Sequence, residues 1–182
     1  MERYRIGPDA AVYFVTYSIV DWLPIFISET TCRIVTDSLN FCHERKGLCA
    51  NAYVIMPTHI HAIVHHRNFD AKELQKTLTD FRKFTGRSLC DYCETHMPRC
   101  FAETFRAASP EDRERRFWQS SRHPEAIETE HFWRQKSDYL HENPCRKGLV
   151  TRAADWRFSS AAYYVSDGVA PCDIKLSRLD WS

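Results

Sequence analysis

The first strongly patterned segment, Val12-Tyr13-Phe14-Val15-Thr16-Tyr17-Ser18-Ile19, is rich in β-branched and aromatic residues and predicts a pleated, partly buried strand. Beyond Pro24 and the candidate cap Ser28, Ile34, Val35, Leu39 and Cys42 fall near helical spacing. They predict a helix from Thr31 to Lys46 that Gly47 stops. Asn51 to Met56 reads as a second strand, Pro57-Thr58 as a break, and Ile60 to His66 as a third strand, together a hairpin. Ala71 to Leu89 is amphipathic: Leu74, Leu78, Phe81 and Phe84 form an apolar stripe, and Lys72, Lys76, Arg82, Lys83 and Arg87 leave the rest basic.

Periodicity fades from Cys90 to Arg116, where Pro98, Pro110 and the run Glu111-Asp112-Arg113-Glu114-Arg115-Arg116 predict a linker or short insertion. Order returns at Phe117-Trp118-Gln119, expected to begin a strand, and a helix follows from about Glu128 to Glu142, ended by Pro144. From Asp155 onward the chain has aromatic anchors and little period. This order predicts an α+β sandwich, a central antiparallel sheet with helices packed on one face.

Composition narrows the class. A chain of 182 residues, 43% hydrophobic and 27% charged, suits one domain over 1–182 with an insertion at about 90–116. The start, Met1-Glu2-Arg3-Tyr4-Arg5, leads into no signal-peptide pattern and no apolar run could span a bilayer, so the expectation is a cytoplasmic protein without membrane contact. Eight scattered cysteines without a secretion signal are expected as thiols. A net charge of +1 announces no polyanionic partner, so a nucleic-acid site must come from local clustering.

Two spacings carry chemistry. His59 and His61 flank Ile60 on the third strand, which turns residues two apart to one face. Neutral imidazoles so placed are good ligands for a divalent ion, although a strand histidine is often only a hydrogen-bonded group. Tyr139 and Asn143, four apart in Lys136-Ser137-Asp138-Tyr139-Leu140-His141-Glu142-Asn143-Pro144, share one helical face. A phenol attacks phosphate poorly unless the phosphate is polarised, and the Asn143 carboxamide oxygen is a candidate third ligand. The competing reading packs Tyr139 on the sheet and uses Asn143 to cap the helix end. Cys90, Cys93, His96 and Cys100 offer a very compact zinc set, or are simply thiols at a helix end.

These residues carry a resemblance. Val54-Ile55-Met56-Pro57 before His59-Ile60-His61, then Phe117-Trp118-Gln119, then Tyr139-Leu140-His141-Glu142-Asn143-Pro144-Cys145-Arg146-Lys147-Gly148-Leu149-Val150, then Asp155-Trp156-Arg157-Phe158-Ser159-Ser160 stand in the order found in REP-associated tyrosine transposases. These belong to the insertion-sequence-200-like single-tyrosine HUH transposases. The chain departs from the pattern in Leu140 for isoleucine, Cys145 for valine, and a longer 90–116 segment. The resemblance implies a ferredoxin-like sheet with the histidines on a central strand and the tyrosine on a facing helix. It also implies a 5′-phosphotyrosine link between Tyr139 and cut single-stranded DNA, which is expected to carry a hairpin.

The expected activity is therefore metal-dependent nicking and rejoining of single-stranded DNA. Mg or Mn would be held by His59, His61 and Asn143, and Lys76, Arg82, Lys83 and Arg87 would contact phosphates. Those four cations read equally as a solvated helix face, and Trp118 and Trp156 as core anchors rather than base platforms. The alternatives are a non-catalytic single-stranded nucleic-acid-binding module derived from a transposase and a water-using phosphoesterase in which Tyr139 is dispensable. By analogy with the family the chain is expected to work as a monomer, a homodimer being the alternative.

Overall fold

In the computed structural model, residues 6–7, 10–110, 114–120 and 124–179 are described; the N-terminal Met1 to Arg5 and the Glu111-Asp112-Arg113 part of the charge run lie outside them. Strand β1, Val12–Ser18, sends Tyr13, Val15 and Tyr17 into one apolar cluster and Val12 and Phe14 into another on the opposite face. Helix α1, Glu29–Lys46, begins where Ser28 Oγ accepts the Thr31 amide (3.3 Å) and ends at Gly47, whose φ of 67° lies in the left-handed region. Strands β2, Leu48–Met56, and β3, His59–His66, form the expected hairpin, with Met56 opposite His59 across Pro57-Thr58. Helix α2 starts at Ala71 with Asp70 Oδ1 capping the amides of Lys72 and Glu73.

A Cβ at Gly47 would also sit 2.7 Å from the His66 ring, so strain and crowding add. Gly47→Ala is expected to lower the unfolding free energy by about 1–2 kcal/mol in urea titration, with the fold kept.

Three expectations need correction, and one alternative left open is narrowed. Helix α2 does not stop at Leu89 but runs to His96, and Arg99–Ala107 forms a further helix, α3, so much of the supposed linker is helical. Cys90 and Cys93 continue the buried stripe of Leu89, and Arg115 ties the far side of the segment back to Asp91 (2.7 Å) and Glu94 (2.9 Å). Second, Cys90 and Cys93 face the core, His96 stacks on Tyr92 and Cys100 is exposed, so the compact zinc set does not converge. Third, Phe117-Trp118-Gln119 adds only a bridge, Ile19 to Trp118, and the fourth strand, β4, is Glu125–Ile127. Fourth, helix α4, Glu130–Arg146, takes Pro144 into its last turn and lies on the opposite sheet face from α1 and α2.

The antiparallel sheet has the order β2-β3-β1-β4, which with the sequence β-α-β-β-α-β is the ferredoxin-like arrangement of two split crossovers. Its first face buries Val35 and Leu39 of α1 and Leu74, Leu78 and Phe81 of α2. Its second face, Val12, Phe14, Val54, Ile63 and Ile127, is anchored by the fully buried Leu140 of α4. The unpatterned tail earns its place on the β2 edge: Ile55 N–H donates to Phe158 O (2.8 Å), Ser160 N–H to Tyr53 O (3.0 Å) and Ser177 N–H to Ala50 O (2.8 Å). Trp118 and Trp156 are anchors, donating to Thr85 Oγ1 (3.1 Å) and Ile55 O (2.9 Å). No helix of the described residues is long and apolar enough to cross a membrane.

Candidate active site

Strand periodicity places His59 and His61 side by side on the α4 face, ring centroids 4.7 Å apart, while Ile60 between them enters the opposite cluster. Neighbouring hydroxyls fix both rings. Thr16, directly across on β1, has Oγ1 2.7 Å from His61 Nδ1, and Thr58 in the hairpin turn has Oγ1 2.9 Å from His59 Nδ1. When the hydroxyl accepts from Nδ1–H, the Nε2 lone pair of each ring is left to ligate. Burial, helped by His59 and Lys136, pushes His61 down to about 3; burial and Lys147 push His59 down to about 4. Both imidazoles are therefore neutral near pH 7, the protonation state a ligand needs.

Helix α4 packs on this face through Leu140, which is buried in the cluster of Phe14 and Ile63, and brings Tyr139 against His61; Asn143 and Pro144 are buried in its last turns. The Tyr139 ring stands edge-on to His61 at 5.6 Å and to Phe14 at 6.0 Å, with 38% of the residue still open to solvent. Asn143 is buried and donates Nδ2–H to Tyr139 O (2.9 Å), so its Oδ1 is the atom available to a ligand. The packed tyrosine and the chemical one are thus compatible, because the ring is held by Phe14 and His61 while part of the residue stays open to solvent.

Two imidazoles and a carboxamide fit a divalent ion that completes its shell with phosphate and water oxygens. Among the described residues no group of three or more His, Cys, Asp or Glu is placed to hold a metal. The three candidate donors His59, His61 and Asn143 are all neutral groups near pH 7.

Lys76, Arg82, Lys83 and Arg87 do not join this centre; they lie on α2, across the sheet. Lys76 pairs with Glu73 (3.6 Å), while Arg82 donates to Gln119 O (2.7 Å) and lies over the Tyr17 ring. Lys83 and Arg87, with Arg82, Arg115 and Arg116, line a separate groove of about 810 Å³.

Sequence reasoning missed the groups around Tyr139. Lys136 Nζ lies 6.0 Å from the Tyr139 ring centre and binds both oxygens of Glu125 on β4 at 2.8 Å; Arg146 Cζ lies 5.4 Å from the same ring. Their helical spacing from Tyr139 was a usable signal, whereas Phe14, Thr16 and Glu125 needed the strand register.

No family model matches the chain, and no curated protein matches it. Among solved structures, that of a REP-associated tyrosine transposase bound to a REP hairpin is similar over 100% of this chain and 94% of that one, with 20% identity and a TM-score of 0.60. The shared feature is the fold. A "putative transposase" from Deinococcus radiodurans R1 is similar over 78% of this chain and 97% of that one, at 14% identity and a TM-score of 0.47.

Proposed function

We propose that this chain is a single-tyrosine transposase of the REP-associated kind, nicking and rejoining single-stranded DNA through a 5′-phosphotyrosine. The observation that carries the reading is the placement of the Tyr139 phenol on α4 against the neutral His59 and His61 pair on β3, with Asn143 one turn further on. The resemblance in motif order and the shared fold both support it, and the solved neighbour's bound REP hairpin makes hairpin-bearing DNA the substrate to try.

His59, His61 and Asn143 would hold Mg or Mn, which when bound supplies Lewis-acid polarisation of the scissile phosphate. Thr16 and Thr58 keep the two imidazoles in the orientation that presents Nε2. Tyr139 Oη forms a bond to phosphorus as the bond from phosphorus to the 3′ oxygen breaks; the phenol proton passes to water and the departing oxygen takes one up. Phe14 and His61 hold the ring while that happens. Because the phosphodiester is exchanged rather than hydrolysed, a later 3′ hydroxyl reverses the step without ATP. Lys76, Arg82, Lys83 and Arg87 remain candidates for DNA-backbone contacts away from the reacting phosphate, and the working unit is proposed to be a cytoplasmic monomer of one domain.

The test is incubation with labelled single-stranded hairpin oligonucleotides from the chain's own genomic flanks, with Mn or Mg and with chelator, followed by a denaturing gel. A metal-dependent, protease-sensitive covalent protein–DNA band is expected. Cleavage with no covalent species would replace the reading with a water-using nuclease, and binding without cleavage would replace it with a retired binding module.

A further inference from the structure

Along α4 the residues Phe132, Lys136, Tyr139, Asn143 and Arg146 recur at alternating steps of four and three, so they form one stripe on the helix face that looks onto β3. Two of the five are cations, and both lie near the Tyr139 ring. They differ in what they already bind. Lys136 has only 17% of its side chain exposed, and its charge is matched by the bidentate contact with Glu125. Its ammonium also lies over the rings of Phe14 (4.9 Å) and Phe132 (5.2 Å), so it belongs to the packing that holds α4 on the sheet. Arg146 is exposed, and no described residue forms an ion pair with it. Its guanidinium stands over the Tyr139 ring at 5.4 Å, and the adjacent Lys147 already makes its charge felt at His59.

Resting on the tyrosine-transesterase reading above, we infer that Arg146 is a catalytic residue that grips a non-bridging oxygen of the phosphate under attack. An exposed guanidinium beside the phenol is open to an incoming anion, and its planar fork matches a phosphate's oxygens. The need is chemical as well. The ligand set of His59, His61 and Asn143 is neutral and Lys136 is already matched by Glu125, which leaves Arg146 as the cation over the Tyr139 ring to meet the charge that builds on phosphorus. As the Tyr139 Oη bond to phosphorus forms and the bond to the 3′ oxygen breaks, the guanidinium donates N–H to the oxygen that gains charge. It takes no proton. Its position over the ring aligns it with the phenol that attacks, so one helix carries nucleophile, ligand and clamp.

The experiment compares wild type, Arg146→Ala and the control Arg134→Ala, which removes a cation paired with Glu130 on the same helix. Single-turnover formation of the covalent species is followed on the mapped hairpin substrate and on one carrying an uncharged methylphosphonate at the scissile position. Circular dichroism and thermal unfolding confirm that each variant folds. Arg146→Ala is expected to slow adduct formation by about a hundredfold on the phosphodiester while Arg134→Ala matches wild type. On the methylphosphonate diastereomer whose methyl replaces the oxygen that Arg146 grips, the guanidinium has no oxygen to meet, and the gap between wild type and Arg146→Ala is expected to close to within a few fold. A phosphodiester rate within twofold of wild type would overturn the inference. So would an equal deficit on both substrates, which assigns Arg146 to holding the Tyr139 ring. If wild type itself forms no covalent species on any oligonucleotide, the transesterase reading fails first and the role of Arg146 with it.

Discussion

Tyr139→Phe is expected to abolish the covalent protein–DNA species of the proposed reaction, with a loss of at least about 10⁴-fold in adduct formation, and to leave DNA binding and the fold in place. The expected size follows from the proposed mechanism, in which the variant loses the phenol oxygen that would carry the intermediate. The specificity of the effect follows from packing. Tyr139 meets Phe14 and His61 through its ring edge, contacts a phenylalanine keeps, and among the described residues its hydroxyl has no hydrogen-bond partner to lose. Thermal unfolding within a degree or two of wild type and gel-shift affinity within about threefold are therefore expected alongside the missing band. Residual cleavage in the variant at more than a few percent of the wild-type rate would mean that water, not the phenol, attacks. The neutral imidazole pair would then have to be read as the centre of a hydrolase.

The parts of this site that could be read from the chain are those whose geometry is local. His59 and His61 depend only on strand alternation, and Tyr139 and Asn143 only on helical repeat, so spacing alone put each pair on a face. Ser28 and Gly47 likewise bounded α1 because caps are local chemistry. What escaped was set by register or by tertiary contact. Thr16 reaches His61 because β1 and β3 pair in one register, and Glu125 reaches Lys136 because a three-residue strand adds to the β1 edge. Nothing in Glu125-Ala126-Ile127 marks a strand when read alone. The second helical layer was missed for a related reason: both sheet faces are apolar, β2 is buried along its whole length, and such a run does not say how many layers cover it. Cys90 and Cys93 were left beyond the end of α2 because Pro98 and the charge run beyond it disguised a stripe that continues the core side of that helix.

Stability should fall steeply as the pH drops from about 6.5 toward 4, well above the range where carboxylates alone would unfold the chain. Four histidines are held neutral in the native state. Burial pushes His141 down to about 4, burial with His66 nearby pushes His65 down to about 4, and His59 and His61 are at about 4 and about 3 for the reasons already given. Their ordinary value, and hence that of the unfolded chain, is near 6.5. Above that value neither state binds the protons and the groups contribute no pH dependence. Below it the unfolded chain takes up protons the native state refuses, so stability is lost as the pH falls and the loss saturates only below the native values. With four groups the slope approaches about 5 kcal/mol per pH unit, against a total stability on the order of 5–15 kcal/mol. Unfolding is therefore expected between about pH 5 and pH 4, before the native values are reached. Glu44, Asp70, Asp80 and Asp155 are held below the usual carboxylate range, but they lie at the surface and act at lower pH. Urea unfolding at half-unit pH steps reads the slope directly. His141→Gln, which can keep a hydrogen bond to Ser160, is expected to reduce the proton uptake on unfolding by about one. Stability that stays level from pH 6.5 to 4.5 would show that these imidazoles accept protons in the folded chain, and with them the neutral ligand pair beneath Tyr139 would lose its physical basis.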